Sequence, residues 1–523
     1  MAEQKSNGRI EIYDTTLRDG TQMEGIAFSL EDKLLIAKKL DELGVEYIEG
    51  GYPLSNQKDI SFFREIRKAK LKNSRVAAFG MTRRKGVRAD DDAGMIALQK
   101  SLAPTITLVA KGWDFQVQKV INTSLDENLR MICDSVLFLR KKRREVLVDI
   151  EHFFDGYKQN PTYALRCVEV AAEAGARCVI LCDTNGGTLD TELEEIFSIV
   201  HSHVGVPLGV HTHDDSGVGV AAALAGVRAG AIQVQGTING IGERVGNANL
   251  CSIIPNLVLK MGYSCLQKNS LQKLTEVSRY VYETANMNLP HSQPYVGMSA
   301  FTHKGGMHVH AVQKHTRCYE HIHPEAVGNT RKILISELSG ASNLLAKSEK
   351  LAMVKDKSLV RKILNDVQNL ENEGYQFETA EGSFDLLVRR HMGHHRKFFE
   401  MDHYRTVNLV YEGRTPITEA TVKLKIKNKF EHHVAEGDGP VNALDAALRQ
   451  ALEAHYPHIN EMQLVDYKVR VVNTKEGTAS KVRVIIESCD DKEYWGTIGV
   501  SENIIEASWK ALVDSFEYKL LKH

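Results

Sequence analysis

Two histidines one residue apart, His211-Thr212-His213, stand in the run Leu208-Gly-Val-His-Thr-His-Asp-Asp215. The run reads as a short apolar strand that ends in two imidazoles and then two acids. Side chains at i and i+2 of a strand point to one face, so both rings converge on the same side. Two neutral imidazoles beside carboxylates suit a borderline or hard divalent metal. Spacing alone does not single this pair out, because His201/His203, His308/His310 and His321/His323 share it. Other chemistry-bearing residues stand in short polar runs. Arg18 and Asp19 lie in Asp14-Thr-Thr-Leu-Arg-Asp-Gly20, and Glu151 lies in Asp149-Ile-Glu-His152. Thr184 lies in Cys182-Asp-Thr-Asn185, while Glu243 and Asn247 lie in Asn239-Gly-Ile-Gly-Glu-Arg-Val-Gly-Asn247.

These runs need elements that bring them together. From Arg9 to about Met261 the chain alternates short β-rich runs with longer amphipathic stretches. The predicted strands are Ile10–Asp14, Val45–Glu49, Arg75–Gly80, Thr105–Ala110, Val146–Glu151, Cys178–Asp183, Leu208–His213 and Ile232–Thr237. Between them, stretches such as Ser29–Leu43, Leu125–Lys142, Thr162–Ala174, Leu189–Val200 and Gly217–Ala229 carry apolar residues at helical spacing. Several close on a glycine suited to a left-handed cap, as in Leu43-Gly44, Ala174-Gly175 and Ala229-Gly230. This rhythm predicts an α/β fold of the (β/α)8 TIM-barrel type. An open doubly wound sheet is the rival, but no Gly-x-Gly-x-x-Gly follows the first strand. A barrel's active site forms at the C-terminal ends of its strands, which is where Arg18, Asp19, Glu151, Thr184, His211 and His213 all fall. Asp19, His211 and His213 would make a face of one carboxylate and two imidazoles, with positions open to substrate oxygens. His201 and His203 close a helix instead, and Arg83-Arg84-Lys85 reads as a solvated loop.

The remaining chain has a different character. The barrel is expected over residues 1–265 and a helical subdomain over 266–395, with helices at Ser270–Asn286 and Lys357–Glu373. An α+β domain is expected over 396–523. Its strands are Ala420–Ile426, Gln463–Asn473 and Ser480–Glu487, and its helices Gly439–Ala454 and Asn503–Leu521. Lys+Arg number 66 against 67 Asp+Glu, so there is no overall field to attract nucleic acid or an acidic membrane. The eight cysteines include no Cys-x-x-Cys and are expected to be reduced, with Cys178 and Cys182 in the core. No run has the length and apolarity of a membrane span, and Met-Ala-Glu-Gln-Lys-Ser-Asn-Gly is no signal peptide, so a cytoplasmic location is expected.

Asp14-Thr-Thr-Leu-Arg-Asp-Gly-Thr-Gln22, His211-Thr-His213 and Gly242-Glu-Arg-Val-Gly-Asn247 together resemble the metal-dependent acyl-CoA/2-oxoacid condensing enzymes. That family holds the 2-isopropylmalate, homocitrate and citramalate synthases, beside the related hydroxymethylglutaryl-CoA lyases. The C-terminal region is similar to the family's amino-acid-sensing regulatory domain through Gly437-Asp-Gly-Pro-Val-Asn-Ala-Leu-Asp445, Asp466-Tyr-Lys-Val-Arg470 and Ile498-Gly-Val-Ser-Glu-Asn-Ile-Ile505. Glu49-Gly-Gly-Tyr-Pro-Leu-Ser-Asn-Gln-Lys-Asp59 and His303-Lys-Gly-Gly-Met-His308 look most like the longer citramalate synthases.

The resemblance implies Asp19, His211 and His213 as ligands of a divalent metal (Mg, Mn or Zn), with Asn247 at or near it. It implies that Arg18 holds the 2-oxoacid and stabilises its developing alkoxide, and that Thr184 contacts the substrate carboxylate. Glu151 corresponds to a glutamate that positions Arg18 and the acyl donor, and Glu243 lies in the matching glutamate motif. His308 falls at a catalytic histidine that the partner subunit often contributes, with Tyr319 as the subdomain tyrosine. His310 departs from the pattern, since relatives often carry an acid or a small residue there. The implied activity is an acyltransferase condensing acetyl-CoA with pyruvate to (R)-citramalate and CoA, the entry to isoleucine by the pyruvate route. A homodimer inhibited by isoleucine is implied as well. The rival readings are 2-isopropylmalate synthase with leucine feedback, homocitrate synthase, a lyase running in the cleavage direction, and a catalytically silent amino-acid sensor.

Overall fold

Eight runs rich in β-branched and apolar residues form parallel strands in the computed structural model, which describes residues 8–267, 269–333, 357–413, 416–472, 480–491 and 493–522. They are β1 (Glu11–Asp14), β2 (Tyr47–Gly51), β3 (Arg75–Met81), β4 (Thr105–Lys111), β5 (Glu145–Glu151), β6 (Cys178–Asp183), β7 (Leu208–Thr212) and β8 (Gln233–Gly236). Each pairs with the next, and β8 pairs back with β1, so the sheet closes into the expected barrel. Every predicted strand is present, with ends shifted by a residue or two. The main change is in β2, which runs on to Gly51 through a register shift between Glu49 and Gly51.

The helices outside the barrel start and stop on local chemistry. Leu30–Leu43 begins at Ser29, whose hydroxyl accepts from the Asp32 N–H while the Asp32 carboxylate accepts from the Ser29 N–H. This reciprocal cap satisfies two otherwise orphaned donors. The helix ends at Gly44 in the left-handed conformation, and Ile36, Ala37, Leu40 and Leu43 are fully buried against the barrel. Inside the barrel, Tyr13, Tyr47, Leu147, Cys178 and Ile180 fill the interior below the mouth. All eight cysteines are free, and Cys178 and Cys182 are buried as expected.

The chain divides into two compact units. One holds the barrel with Ile322–Arg331, and the other holds Thr302–His321 with Lys332–His523. In the second unit, β9 (Thr302–His303) pairs with β10 (Lys332–Ile333) beside a helix at Gly306–Lys314. Two three-stranded antiparallel sheets follow, β11–β13 (Glu400–Leu409, Ile417–Ile426, Lys429–Gly437) and β14–β16 (Gln463–Val471, Val482–Cys489, Tyr494–Ser501). The helices Pro440–Glu453 and Ile504–Leu520 pack on them through Leu444, Leu448, Leu512 and Phe516.

Strands β11, β13 and β16 are absent from the sequence reading. β11 and β13 are outer strands whose exposed faces carry charged and histidine residues, so they lack the apolar alternation of β12 at the centre. The helices Lys357–Asn372 and Glu381–His391 pack on the C-terminal sheet, where Val360, Phe377, Phe384 and Val388 meet Ile498 and Val500. Asn473, the expected end of one strand, lies outside the described residues, as do Met1–Asn7, most of the segment read for a leader. No helix among the described residues is long and apolar enough to cross a membrane.

Candidate active site

The strand ends at the C-terminal mouth carry the predicted residues, and the loops between them are built to hold those residues still. β1 delivers Asp14, and the chain then turns through Thr15 and Thr16 so that Arg18 and Asp19 face inward. The Thr16 N–H and hydroxyl both bond the Asp14 carboxylate, at 3.0 and 2.9 Å, which locks that turn. Burial pushes Asp14 up to about 7 against these bonds.

Arg18 is held by Glu49 at the end of β2. Its Nε donates to the Glu49 carboxylate at 2.6 Å, one terminal nitrogen donates to Asp19 at 2.9 Å, and its guanidinium lies 3.8 Å over the Phe79 ring. Glu49 is fully buried and also accepts from the Thr15 and Tyr13 hydroxyls. Burial works against the charge on Arg18, but Glu49 and Asp19 outweigh it and raise its pKa above the ordinary value. The resemblance assigned the positioning of Arg18 to Glu151, and here the structure differs. Glu151 lies at the end of β5 and pairs with Lys111 at the end of β4, because the two strands are in register at those residues. Glu49, paired beside β1, is the nearer carboxylate.

Asp19, His211 and His213 place one ligand atom each within 4.8 Å of one another, and all three are buried. The His211 Nδ1 lies 2.9 Å from the Gln235 carbonyl oxygen, and the Gln235 amide donates to Asp149 at 3.0 Å across the barrel interior. His211 and Gln235 are register neighbours on β7 and β8, so this contact follows from strand pairing. It leaves the His211 Nε2 facing Asp19, 3.8 Å away. Burial opposes the charge on Asp19, but Arg18, the two histidines and Asn247 hold its carboxyl down at about 2. Burial, with His211 adding to it, lowers His213 to about 4, so this imidazole is neutral near pH 7.

Asn247 arrives by a folded loop. Residues 240–249 turn back on the barrel, and Asn247 bridges to His213 while its side-chain amide donates to Asp19 at 3.1 Å. The glycines of the loop are sterically required. A Cβ on Gly242 would overlap the Asn247 amide, and one on Gly246, itself at φ 112°, would overlap the Gly240 carbonyl. The His213 Nδ1 and the Asn247 Oδ1 are buried without hydrogen-bond partners among the described residues. Orphaned buried acceptors are costly in a native fold. An anionic Asp19 carboxylate, the imidazole nitrogens of His211 and His213 and these two unpaired atoms fit a divalent cation.

A cavity of about 540 Å³ opens over this group and is lined by Arg18, Asp19, Glu151, Thr184, His213 and Glu243. The Thr184 hydroxyl accepts from the His152 N–H at 2.9 Å, which leaves its own proton free to donate. Arg244 clasps Asp215 at 2.7 and 2.8 Å and the Thr184 carbonyl at 2.7 Å, fixing that rim. Glu49, Lys111, Asp149 and Gln235 were missed as site residues. The signal for each is its position two residues or fewer from a strand's C-terminal end.

The other sequence candidates stand on other elements. His308 and Tyr319 belong to the second unit, where their rings stack at 4.0 Å. The carboxylate of that segment, Glu320, lies 3.1 Å from His303. His310 is exposed on the same helix as His308. His203 bonds the Ile199 carbonyl of its own helix at 2.7 Å, as its helix-end reading expects.

Residues 9–281 match the HMGL-like family, residues 295–375 the homocitrate synthase post-HMGL domain-like family, and residues 378–520 the LeuA allosteric (dimerisation) domain. The chain is 52% identical to an (R)-citramalate synthase of Geobacter sulfurreducens and 51% identical to one of Aquifex aeolicus, each over 98% of both chains. A 2-isopropylmalate synthase of Shouchella clausii is 31% identical over 96% of this chain and 95% of its own. With that difference in identity over nearly the full length, the chain belongs to the HMGL-like enzymes, in the (R)-citramalate synthase family.

Proposed function

We propose that the chain condenses acetyl-CoA with pyruvate, giving (R)-citramalate and CoA after thioester hydrolysis. The observation that carries this reading is the mouth cavity itself, where a glutamate-held Arg18 stands beside the cation-fitting set Asp19, His211 and His213. Mg, Mn or Zn bound there would act as a Lewis acid and template for the carboxylate and ketone oxygens of a 2-oxoacid.

The chain's own residues supply the rest. Arg18, kept in place by Glu49 and Phe79, presents a fixed cation where the ketone oxygen becomes an alkoxide. One preorganised donor of this kind is commonly worth about 3–4 kcal/mol in the barrier. Its rigidity matters, because no side-chain reorganisation is then needed as charge develops. The Thr184 hydroxyl donates to the oxoacid carboxylate. Glu151, neutralised by Lys111, lies on the acyl-donor side of the cavity with Glu243. His308, with Tyr319 stacked on it, takes a proton from the acetyl methyl group. The His308 of one subunit serving the partner's barrel accords with the dimerisation-domain match.

The same reading places the enzyme in the cytoplasm as a homodimer, divided as 1–265, 266–395 and 396–523. The C-terminal domain would bind isoleucine as feedback inhibitor. Specificity rests on a few methyl groups, worth about 1–3 kcal/mol in an apolar pocket. Steady-state CoA release with pyruvate, 2-oxoisovalerate and 2-oxoglutarate tests the assignment, with pyruvate expected to give the highest kcat/KM. A clear preference for 2-oxoisovalerate would overturn it in favour of 2-isopropylmalate synthesis.

A further inference from the structure

Strand β2 does not run evenly to its end. Glu49 faces Ala77 of β3, but Gly51 faces Ala78, so Gly50 has no counterpart across the pair. A bulge of this kind re-aims the side chain beside it and takes the chain out of the ladder. Here that side chain is Glu49, whose carboxylate accepts from the Arg18 Nε at 2.6 Å.

Both glycines are required by what packs on the bulge. A Cβ on Gly50 would overlap the Phe62 ring, and one on Gly51, at φ 138°, would stand 2.5 Å from the Asp59 carboxylate. Phe62 and Asp59 lie on the helix Gln57–Ile66. Asp59 reaches back to accept from the Tyr52 N–H at 2.9 Å, the first N–H past the end of β2. A buried carboxylate therefore ties down the residue that leaves the bulge.

Asp59 is only 6% exposed, and its counter-charge comes from another helix. Lys33 of Leu30–Leu43 is 2% exposed and donates to it at 2.6 Å. Lys33 shares its buried face with Ile36, Ala37 and Leu40, where an apolar side chain would serve packing. Apolar residues of similar size in place of a buried ion pair are often neutral or stabilising, so stability does not account for this pair. Burial lowers the Lys33 pKa; Asp59 opposes that, Lys58 adds to it, and Glu49 opposes it again. Lys58 itself is turned to the Phe28 carbonyl at 2.6 Å. Lys33, Tyr52 and Asp59 all border the mouth cavity that holds Arg18.

We propose that Lys33 and Asp59 are positioning residues for the condensation. The pair clamps the end of β2, the bulge fixes Glu49, and Glu49 holds the Arg18 guanidinium where the alkoxide charge develops. This role rests on the condensing activity proposed above, and both residues act through Glu49.

Lys33→Met combined with Asp59→Leu removes both charges at nearly constant volume and tests the clamp in the full-length enzyme. The double variant should fold and melt at about the wild-type temperature. Amide exchange across residues 50–56 should nevertheless become faster, because Tyr52 loses its acceptor. The kcat for CoA release with pyruvate should fall about 10- to 100-fold, the effect of a small misplacement of a catalytic group. KM for acetyl-CoA should stay within about twofold. In a Glu49→Gln background the same pair of substitutions should lower kcat by less than about twofold further, since the carboxylate it positions is gone. Asp59→Asn, a milder change that keeps an acceptor for Tyr52, should show a smaller loss with the same dependence on Glu49. Wild-type kcat in the folded double variant would overturn the clamp, and so would equal losses with and without Glu49. A wild-type protein that releases no CoA with pyruvate, 2-oxoisovalerate or 2-oxoglutarate removes the condensing reading instead, and the positioning role with it.

Discussion

Gln235 offers the sharpest test of how the candidate metal group is held. Its carbonyl oxygen lies 2.9 Å from the His211 Nδ1, and its amide donates to Asp149 at 3.0 Å. That arrangement makes the His211 Nδ1 the protonated nitrogen and leaves the Nε2 lone pair directed at Asp19. Gln235→Leu keeps the volume but removes the acceptor, leaving a buried N–H unpaired and the ring free to turn. Outer partners of ligating histidines typically govern metal affinity by about 10–100-fold, or roughly 1.4–2.8 kcal/mol. Protein stripped with a chelator and titrated calorimetrically with Mn(II) near neutral pH should show a loss of that size. Gln233→Leu is the control. Gln233 faces the barrel interior two residues earlier on β8 and bonds Glu11 at 3.1 Å, so its loss should lower thermal stability and leave Mn(II) affinity unchanged. Wild-type Mn(II) affinity in folded Gln235→Leu would refute the tautomer argument.

Three other outcomes follow from the geometry. His213→Ala should abolish metal-dependent CoA release while His203→Ala leaves it nearly unchanged, and equal losses would mean the ligand pair is misassigned. Gly242→Ala should displace the Asn247 amide and weaken Mn(II) binding. Gly187→Ala, at a position with open space around it, should be neutral in the same titration, and equal effects of the two would discount the steric argument. Burial first, then Glu49, pushes Asp149 up to about 8, with Arg18 and Gln235 opposing. An unfolded aspartate titrates near 3.9, so between roughly pH 4 and 8 the folded chain keeps a proton that the unfolded chain has lost. The stability this contributes is full below about pH 4 and is lost as pH rises toward 8. Asp149→Asn should remove that loss, so its urea midpoint should gain on wild type as pH increases; a gap that stays constant from about pH 5 to 8 would show Asp149 ionised in the fold.

The barrel was legible because its strands are buried on both faces and separated by capped amphipathic helices, so the run Cys178–Asp183 needs no tertiary information to be recognised. The metal group was legible because His211 and His213 are local to one strand end and Asp19 follows another. Residues whose roles depend on a neighbouring strand were not. Glu49 reads as an ordinary strand acid until β2 is laid beside β1, and only then does it, rather than Glu151, become the partner of Arg18. Gln235 likewise gains its meaning from register with His211. The C-terminal helices at Lys357–Asn372 and Glu381–His391 belong with the last sheet for the same reason, since Phe384 and Val388 find Ile498 and Val500 more than a hundred residues away. Periodicity and local chemistry are written along the chain. Pairing partners and the shape of the cavity at the mouth arise only when distant segments pack, because a side chain's partner is set by distance in space and not by distance in sequence.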